Sequence, residues 1–421
     1  MCVSTKKSKL ILIMDMINLK VRLSIIMLTA ALPIFLFSCK INSQKKPEVK
    51  EEMTRLLQAR LDSLTDNQIV PGATLSIRLS DGTNISLASG LADIEEKNPM
   101  KPDDIMFSGS VGKTYVAAVV LRLYEQGLID LKTKVGSFLK DEDWFQKFPN
   151  ASDITVEMLL NHTAGIPEYV YHNEVWEAIK KDPDKEWSVE ERLSYVLNDP
   201  PSNPPGEGWA YADSHYLLLG LIIEKVTGRT YYEVLEDMII GPCNLENTFR
   251  SDTRSITGLV PGYTNFAEKF YIPRKVLNNN KYAFNLQMEW TGGGLASTAS
   301  DLTLWACQLY GGRVLKPETL KMMLTPAPYE TPLFENARYG LGCFIGETEG
   351  VRYYGHTGFV PGYITYLQYL PDYNIALALQ VNNDSSHDNF SLKKYFNTIK
   401  KVVINLQDLS FSKPELISYE S

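Results

Sequence analysis

The sequence predicts an α+β fold: a mixed or antiparallel sheet built from both ends of the chain, covered by helices, with an all-helical subdomain inserted between. Three observations predict it. Strand-like alternation near residue 73 returns in several segments after residue 338. The long middle carries apolar residues at helical spacing. Turn-forming residues punctuate the strand-like segments at both ends.

Each element has its own signal. Residues 48–64 place Val49, Met53, Leu56, Leu57, Leu61 and Leu64 near helical spacing and predict an amphipathic helix. Ala73 to Leu79 and Ile85 to Ala88 predict a hairpin, turned by Ser80-Asp81-Gly82-Thr83. Val111 to Gln126 is apolar, free of proline and closed by Gly127, a long buried helix. Val156 to Leu160 and Val189 to Leu197 predict shorter helices, the latter with Ser188 and Glu191 at capping-box spacing. Tyr216 to Val226 predicts a buried helix ended by Gly228. Thr298, with Asp301 in the first turn, opens a helix that turns Leu302, Trp305 and Leu309 inward. Tyr339 to Ile345, Val351 to Tyr354, Tyr363 to Leu370 and Ile375 to Val381 read as strands, the last two joined by Pro371-Asp372-Tyr373-Asn374. Leu392, Tyr395, Phe396, Ile399, Val402, Val403 and Leu406 form the stripe of a final helix.

The organisation that follows is a leader at 1–38, a tether at 39–47, one domain at 48–406 and a tail at 407–421. Within the domain, a sheet lobe comprises about 48–105 and 325–406, and a helical lobe about 106–324, with a cleft between them as the natural place for a site. No repeat of solenoid or propeller period occurs.

Charge and cysteines narrow the partners. The 421 residues carry a formal charge of −8, and the leader holds five bases (Lys6, Lys7, Lys9, Lys20, Arg22) against Asp15, so the remainder carries −12. With no basic aromatic patch, that balance excludes a nucleic-acid partner. Lys20 and Arg22 precede an uncharged apolar run from Leu23 to Phe37, then Ser38 and Cys39. This is the layout of a secretory signal, and Cys39 after Ser38 resembles a bacterial lipoprotein box. The expectation is a lipid-anchored protein facing the periplasm or cell exterior, acylated at Cys39. Cys243, Cys307 and Cys343 are widely spaced, without metal-ligand or disulfide patterning, and read as small buried hydrophobes. No His-Glu-x-x-His occurs, so zinc is not implied, and no metal or cofactor is expected.

The chemistry concentrates at Phe107-Ser-Gly-Ser110-Val-Gly-Lys113-Thr. With a helix beginning near Ser110, residues 110 and 113 lie one turn apart on one face. A serine is a weak nucleophile until a base takes its proton or a cation steadies its oxyanion, and a lysine one turn away serves either need. Ser-x-x-Lys alone is weak evidence, because it also starts at Ser4, Ser43, Ser137, Ser391 and Ser410. Only Ser110 opens a long apolar helix after a strand-rich region.

Order adds the rest. Ser110-Val-Gly-Lys113, then Tyr211-Ala-Asp213, then His356-Thr-Gly358 resemble the three motifs of the serine β-lactamase and penicillin-binding-protein superfamily, in its class C-like branch of β-lactamases, D-peptidases and esterases. Leu159-Leu-Asn-His162-Thr-Ala-Gly165 and the stretch from Gly292 to Asp301 resemble further segments of that branch, and the likeness runs from about 48 to 406. The resemblance implies a β-lactamase/transpeptidase-like fold and a cell-envelope serine hydrolase acting on a small-molecule or peptide acyl substrate. Ser110 would form the acyl-enzyme, and Lys113 and Tyr211 would share acid–base work, with phenolate character at Tyr211 favoured by the ammonium. The backbone N–H groups of Ser110 and Phe359 would bind the oxyanion. Asp213, His356, Thr357, Gly358 and Phe359 would contact substrate.

Two positions depart from the pattern. Asp213 stands where the branch usually has Asn, and an ionised carboxylate donates no hydrogen bond, though it can pair with Lys113 and hold it charged. His356 stands where β-lactamases typically carry Lys, and a neutral imidazole attracts a carboxylate less than an ammonium does. Both favour an esterase or D-amino-acid peptidase over a true β-lactamase. A catalytically silent envelope binding protein for peptidoglycan fragments or a protein partner is the rival reading, kept open by Asp213. A P-loop is excluded because position 107 is Phe where a glycine is needed, and Gly-x-Ser-x-Gly occurs nowhere.

Overall fold

The structure, a computed structural model, describes residues 50–384 and 390–411. The leader, Cys39 and the tether lie outside the described residues, as do Ser4, Ser43 and the tail beyond 411. The described chain falls into two compact units. One comprises the helical stretches 50–57 and 401–411; the other runs from Gln58 to Lys400 and contains the sheet and the whole candidate site.

Eight antiparallel strands make the main sheet. They are β1 (Gly72–Arg78), β2 (Asn84–Asp93), β3 (Asn98–Pro99), β4 (Ala337–Tyr339), β5 (Phe344–Thr348), β6 (Val351–Val360), β7 (Tyr363–Leu370) and β8 (Ile375–Val381). Their order is β3-β2-β1-β8-β7-β6-β5-β4, so early strands join late ones through β1 and β8, with Ala73 opposite Val381. Every residue of β8 is buried, as a central strand covered on both faces requires. The predicted sheet from both termini is therefore observed.

One predicted strand is two. Tyr339 to Ile345 breaks at Gly340–Cys343, where Gly342 takes φ +86° and the chain doubles back to pair β4 with β5. A side chain disfavours that backbone, so the two glycines mark a turn that apolar periodicity concealed. Conversely, β6 runs well past Tyr354, to Val360, and carries His356 to Phe359 into the sheet.

Five helices set the frame: α1 (50–66), α2 (Gly112–Glu125), α3 (Asp213–Thr227), α4 (Ala299–Tyr310) and α5 (Phe390–Phe411). The last continues past the expected boundary at 406. Helix α4 packs on β1, β7 and β8. On its other side Trp305, fully buried, stacks on Tyr115 of α2 at 4.2 Å and donates from Nε1 to Thr114 Oγ1 at 2.8 Å. Thr298 caps α4 by accepting from the Asp301 N–H at 3.2 Å. The Asp301 carboxylate does not return the bond; it accepts from Asn247 and Thr248 instead, tying α4 to the chain before Thr248–Arg250. Cys243, Cys307 and Cys343 are all free thiols.

Candidate active site

A second, three-stranded sheet, invisible in the sequence because its strands are only two or three residues long, builds the turn that carries Ser110. Met106–Phe107 pairs with Leu295–Ser297, which pairs with Thr248–Arg250. Ser108 donates both its backbone N–H and its hydroxyl to Leu295 O, at 2.9 Å each. Gly109 then turns at φ +53° into a single 3-10 turn, Gly109–Val111, from which α2 continues. Ser110 thus sits just ahead of the α2 N-terminus, half-buried, where the helix dipole favours a developing anion.

Two glycine-bearing segments, the turn at Gly293 and strand β6 at Gly358, press against this one. A Cβ on Gly293 would lie 2.7 Å from the Gly109 carbonyl carbon, and one on Gly358 would lie 1.8 Å from Ser108 O. Neither position has room for a side chain. Gly109 in turn approaches Phe359, whose backbone N would be 2.7 Å from a Cβ on Gly109. Ser110 and the backbone of Phe359 are thereby brought side by side.

Lys113 is fully buried, one turn after Ser110. Its ammonium donates to Ser110 Oγ at 3.1 Å, to Asp213 Oδ1 and to Gly292 O. Three protons meet three acceptors, so the group is saturated. Burial works against its charge, but the Asp213 carboxylate and the Tyr211 phenol outweigh that, and Lys113 is held above its ordinary value. Asp213 lies at the start of α3, which begins three residues before the predicted Tyr216. Its carboxylate is turned to Lys113.

Tyr211 lies immediately before α3, with Lys113 Nζ 4.9 Å from its ring centre. Among the described residues its buried hydroxyl has no hydrogen-bond partner. Burial pushes the phenol up; the Lys113 ammonium pulls it down, Asp213 pushes it further up, and the net displacement is upward. The ammonium favours phenolate as expected, but desolvation of the oxygen outweighs the attraction and the resting phenol is neutral.

The segment Leu160–Tyr169 holds Ala210–Tyr216 almost residue by residue. His162 O accepts from the Ala210 N–H at 3.0 Å, and His162 Nδ1 accepts from the Ala212 N–H at 3.3 Å. Tyr216 donates its hydroxyl to Leu160 O at 2.9 Å, and Ser214 donates to Pro167 O at 2.7 Å. The Glu168 carboxylate accepts the first-turn N–H of Asp213. Burial and the neighbouring Asp213 charge push Glu168 well above the usual carboxylate range. Burial and Asp213 likewise push Glu289 up to about 8. Neither acid was singled out in the sequence, where nothing distinguishes them from surface carboxylates.

His356 is only 3% exposed and is fixed at both nitrogens. Its Nδ1 lies 2.6 Å from Thr357 O, an acceptor only, so Nδ1 carries the proton and Nε2 accepts from the Tyr339 hydroxyl at 2.8 Å. Burial and the Lys113 charge push it down to about 3, so it is a neutral imidazole. Its ring centre is 6.2 Å from that of Tyr211. Thr357 is half-buried beside it. The half-buried ring of Phe359 packs against Phe266 at 6.1 Å and Phe270 at 6.3 Å. The structure thus brings Ser110, Lys113, Tyr211, Asp213 and the His356–Phe359 strand together.

A family model described as Beta-lactamase matches residues 55–398. Penicillin-binding protein 4 of Amycolatopsis lactamdurans is 26% identical over 337 residues, covering 77% of this chain and 84% of that protein. Esterase EstB of Burkholderia gladioli is 27% identical over 202 residues, 45% of this chain and 51% of that one. The solved D-stereospecific amidohydrolase from Streptomyces sp. superposes with a TM-score of 0.68 at 27% identity, over 78% of this chain and 94% of that one.

Proposed function

The chain belongs to the Beta-lactamase family and is a serine hydrolase of that family, and from that premise we propose that Ser110 is the nucleophile of an esterase or D-amino-acid peptidase that works through an acyl-enzyme. The observation that carries the reading is the 3.1 Å approach of the Lys113 ammonium to Ser110 Oγ at the mouth of a buried helix.

The steps follow from the proton inventory. Ser110 Oγ attacks the acyl carbon and its proton passes to ionised Tyr211, because Lys113 has no free lone pair while it is paired with Asp213. The Lys113 ammonium steadies the charge on Ser110 Oγ during the transfer. The carbonyl oxygen takes its negative charge against the backbone N–H groups of Ser110 and Phe359. As the bond to the leaving group breaks, Tyr211 returns the proton to the departing oxygen or nitrogen. Water then attacks the ester, Tyr211 removing its proton and passing it to Ser110 Oγ as the acyl–oxygen bond breaks, which frees the acid and restores both Ser110 and ionised Tyr211. Since the resting phenol is neutral and displaced upward, the active form is the minor one, and the rate should climb with pH.

The substrate class rests on two features. Neutral His356, engaged by Tyr339, offers no cation for a β-lactam carboxylate. The likeness to a D-stereospecific amidohydrolase and to an esterase points the same way. The test is intact-mass spectrometry of the chain from residue 40, which keeps every described residue, after exposure to a fluorophosphonate or a penicillin beside Ser110→Ala. A Ser110-dependent adduct with the fluorophosphonate is expected, and its absence would make the silent binding protein the better reading. We further propose export and acylation at Cys39, from the Leu23–Phe37 run and the Ser38-Cys39 pair. Incorporation of labelled palmitate that survives Cys39→Ser would overturn this.

A further inference from the structure

We propose that His162 is the positioning residue for Tyr211, setting where the phenol oxygen stands relative to Ser110 and Lys113; this deepens the reading above and rests on it. The geometry is specific. His162 grips both neighbours of Tyr211, accepting from the Ala210 N–H with its carbonyl at 3.0 Å and from the Ala212 N–H with Nδ1 at 3.3 Å. Its ring lies on the Tyr211 ring, with centres 4.3 Å apart and planes tilted by 39°. The residue between two held peptides, with its ring covered, has little freedom left.

The histidine is itself fixed. His215 Nδ1 lies 3.0 Å from His162 Nδ1. The Ala212 amide can only donate, so His162 Nδ1 is the acceptor and His215 Nδ1 carries the proton between them. His162 is fully buried and takes φ +63°, a left-handed backbone that Asn, Asp and His accept more readily than other residues with a side chain. It lies in a segment whose carbonyl and side chain both hold the chain just before α3. Burial first, then the neighbouring His215 and the Lys113 ammonium, hold it well below its ordinary value, so its part is to hold and not to titrate.

Asparagine is the informative replacement, because it tolerates a left-handed backbone and keeps an oxygen acceptor while deleting the ring. Four proteins are compared for the rate of Ser110 labelling by a fluorophosphonate: wild type, His162→Asn, Tyr211→Phe and the double variant, with Ser110→Ala as control. If His162 acts through the Tyr211 hydroxyl, His162→Asn lowers the rate about 100-fold in the wild-type background and less than about threefold in the Tyr211→Phe background. KM for a turned-over ester should move little while kcat falls. Equal losses in both backgrounds, or no loss in the first, would overturn the role of His162 alone. Labelling that persists in Ser110→Ala would instead overturn the reading of the site, and this inference with it.

Discussion

Lys113 and Asp213 decide the proton chemistry between them. The carboxylate is the leading charge holding Lys113 up, and it also pushes Tyr211 up. Replacing it by Asn removes both influences, so the pKa values of the ammonium and the phenol should fall together. Acylation by Asp213→Asn is therefore expected to begin its alkaline rise at lower pH than in wild type; a rise left in place would mean that Asp213 does not tune Tyr211. Tyr211→Phe keeps the ring over Lys113 and deletes only the hydroxyl. A loss of about 100-fold or more in acylation is expected, and a change under about threefold would remove its acid–base role. At this scale the sequence named Ser110, Lys113, Tyr211 and Asp213 but gave no hint of Glu168, Glu289 or Tyr339. Their significance comes from enclosure, which one-dimensional pattern does not record.

Strand β6 and the Ser108–Val111 turn meet as bare backbones. A methyl on Gly358 would stand 1.8 Å from Ser108 O, a backbone atom that cannot swing aside. Gly358→Ala should force the two apart and carry the Phe359 N–H away from Ser110. Turnover is expected to fall about 100-fold, with a lowered thermal midpoint, by steady-state kinetics and calorimetry. Unchanged kcat would show that Phe359 does not serve the oxyanion. The element boundaries explain why the sequence ran short here. The amphipathic and fully apolar elements (α1, α2, β7 and β8) announced themselves by periodicity, whereas the three-stranded sheet has no segment long enough to show a period.

Across the whole described molecule, buried ionisable groups predict how stability follows pH. Burial is the largest cause holding His162 well below its usual range and His215 and His356 down to about 3. Each is neutral in the fold and takes up a proton on unfolding below about pH 6.5, so stability is full above that pH and declines as pH falls through it. Glu289 acts oppositely: burial holds it up to about 8, so it keeps its proton in the fold and releases it on unfolding above about pH 4.5, and burial displaces Glu168 in the same direction. Urea denaturation should find the histidine contribution lost as pH falls below about 6.5 and the Glu289 contribution lost as pH rises towards 8; Glu289→Gln should remove the second loss, and an unchanged pH profile in that variant would contradict the placement of Glu289. By itself the sequence determined the fold class and the closure of the sheet by both ends of the chain, and it singled out the serine, lysine and tyrosine of the candidate site, because periodicity and short motifs are read along the chain. Tertiary structure alone decided that Lys113 is saturated, that Tyr211 rests neutral and that His356 is held by Tyr339. Those outcomes depend on desolvation and on partners brought from about 20 to 180 residues away, and both arise only when the chain is packed.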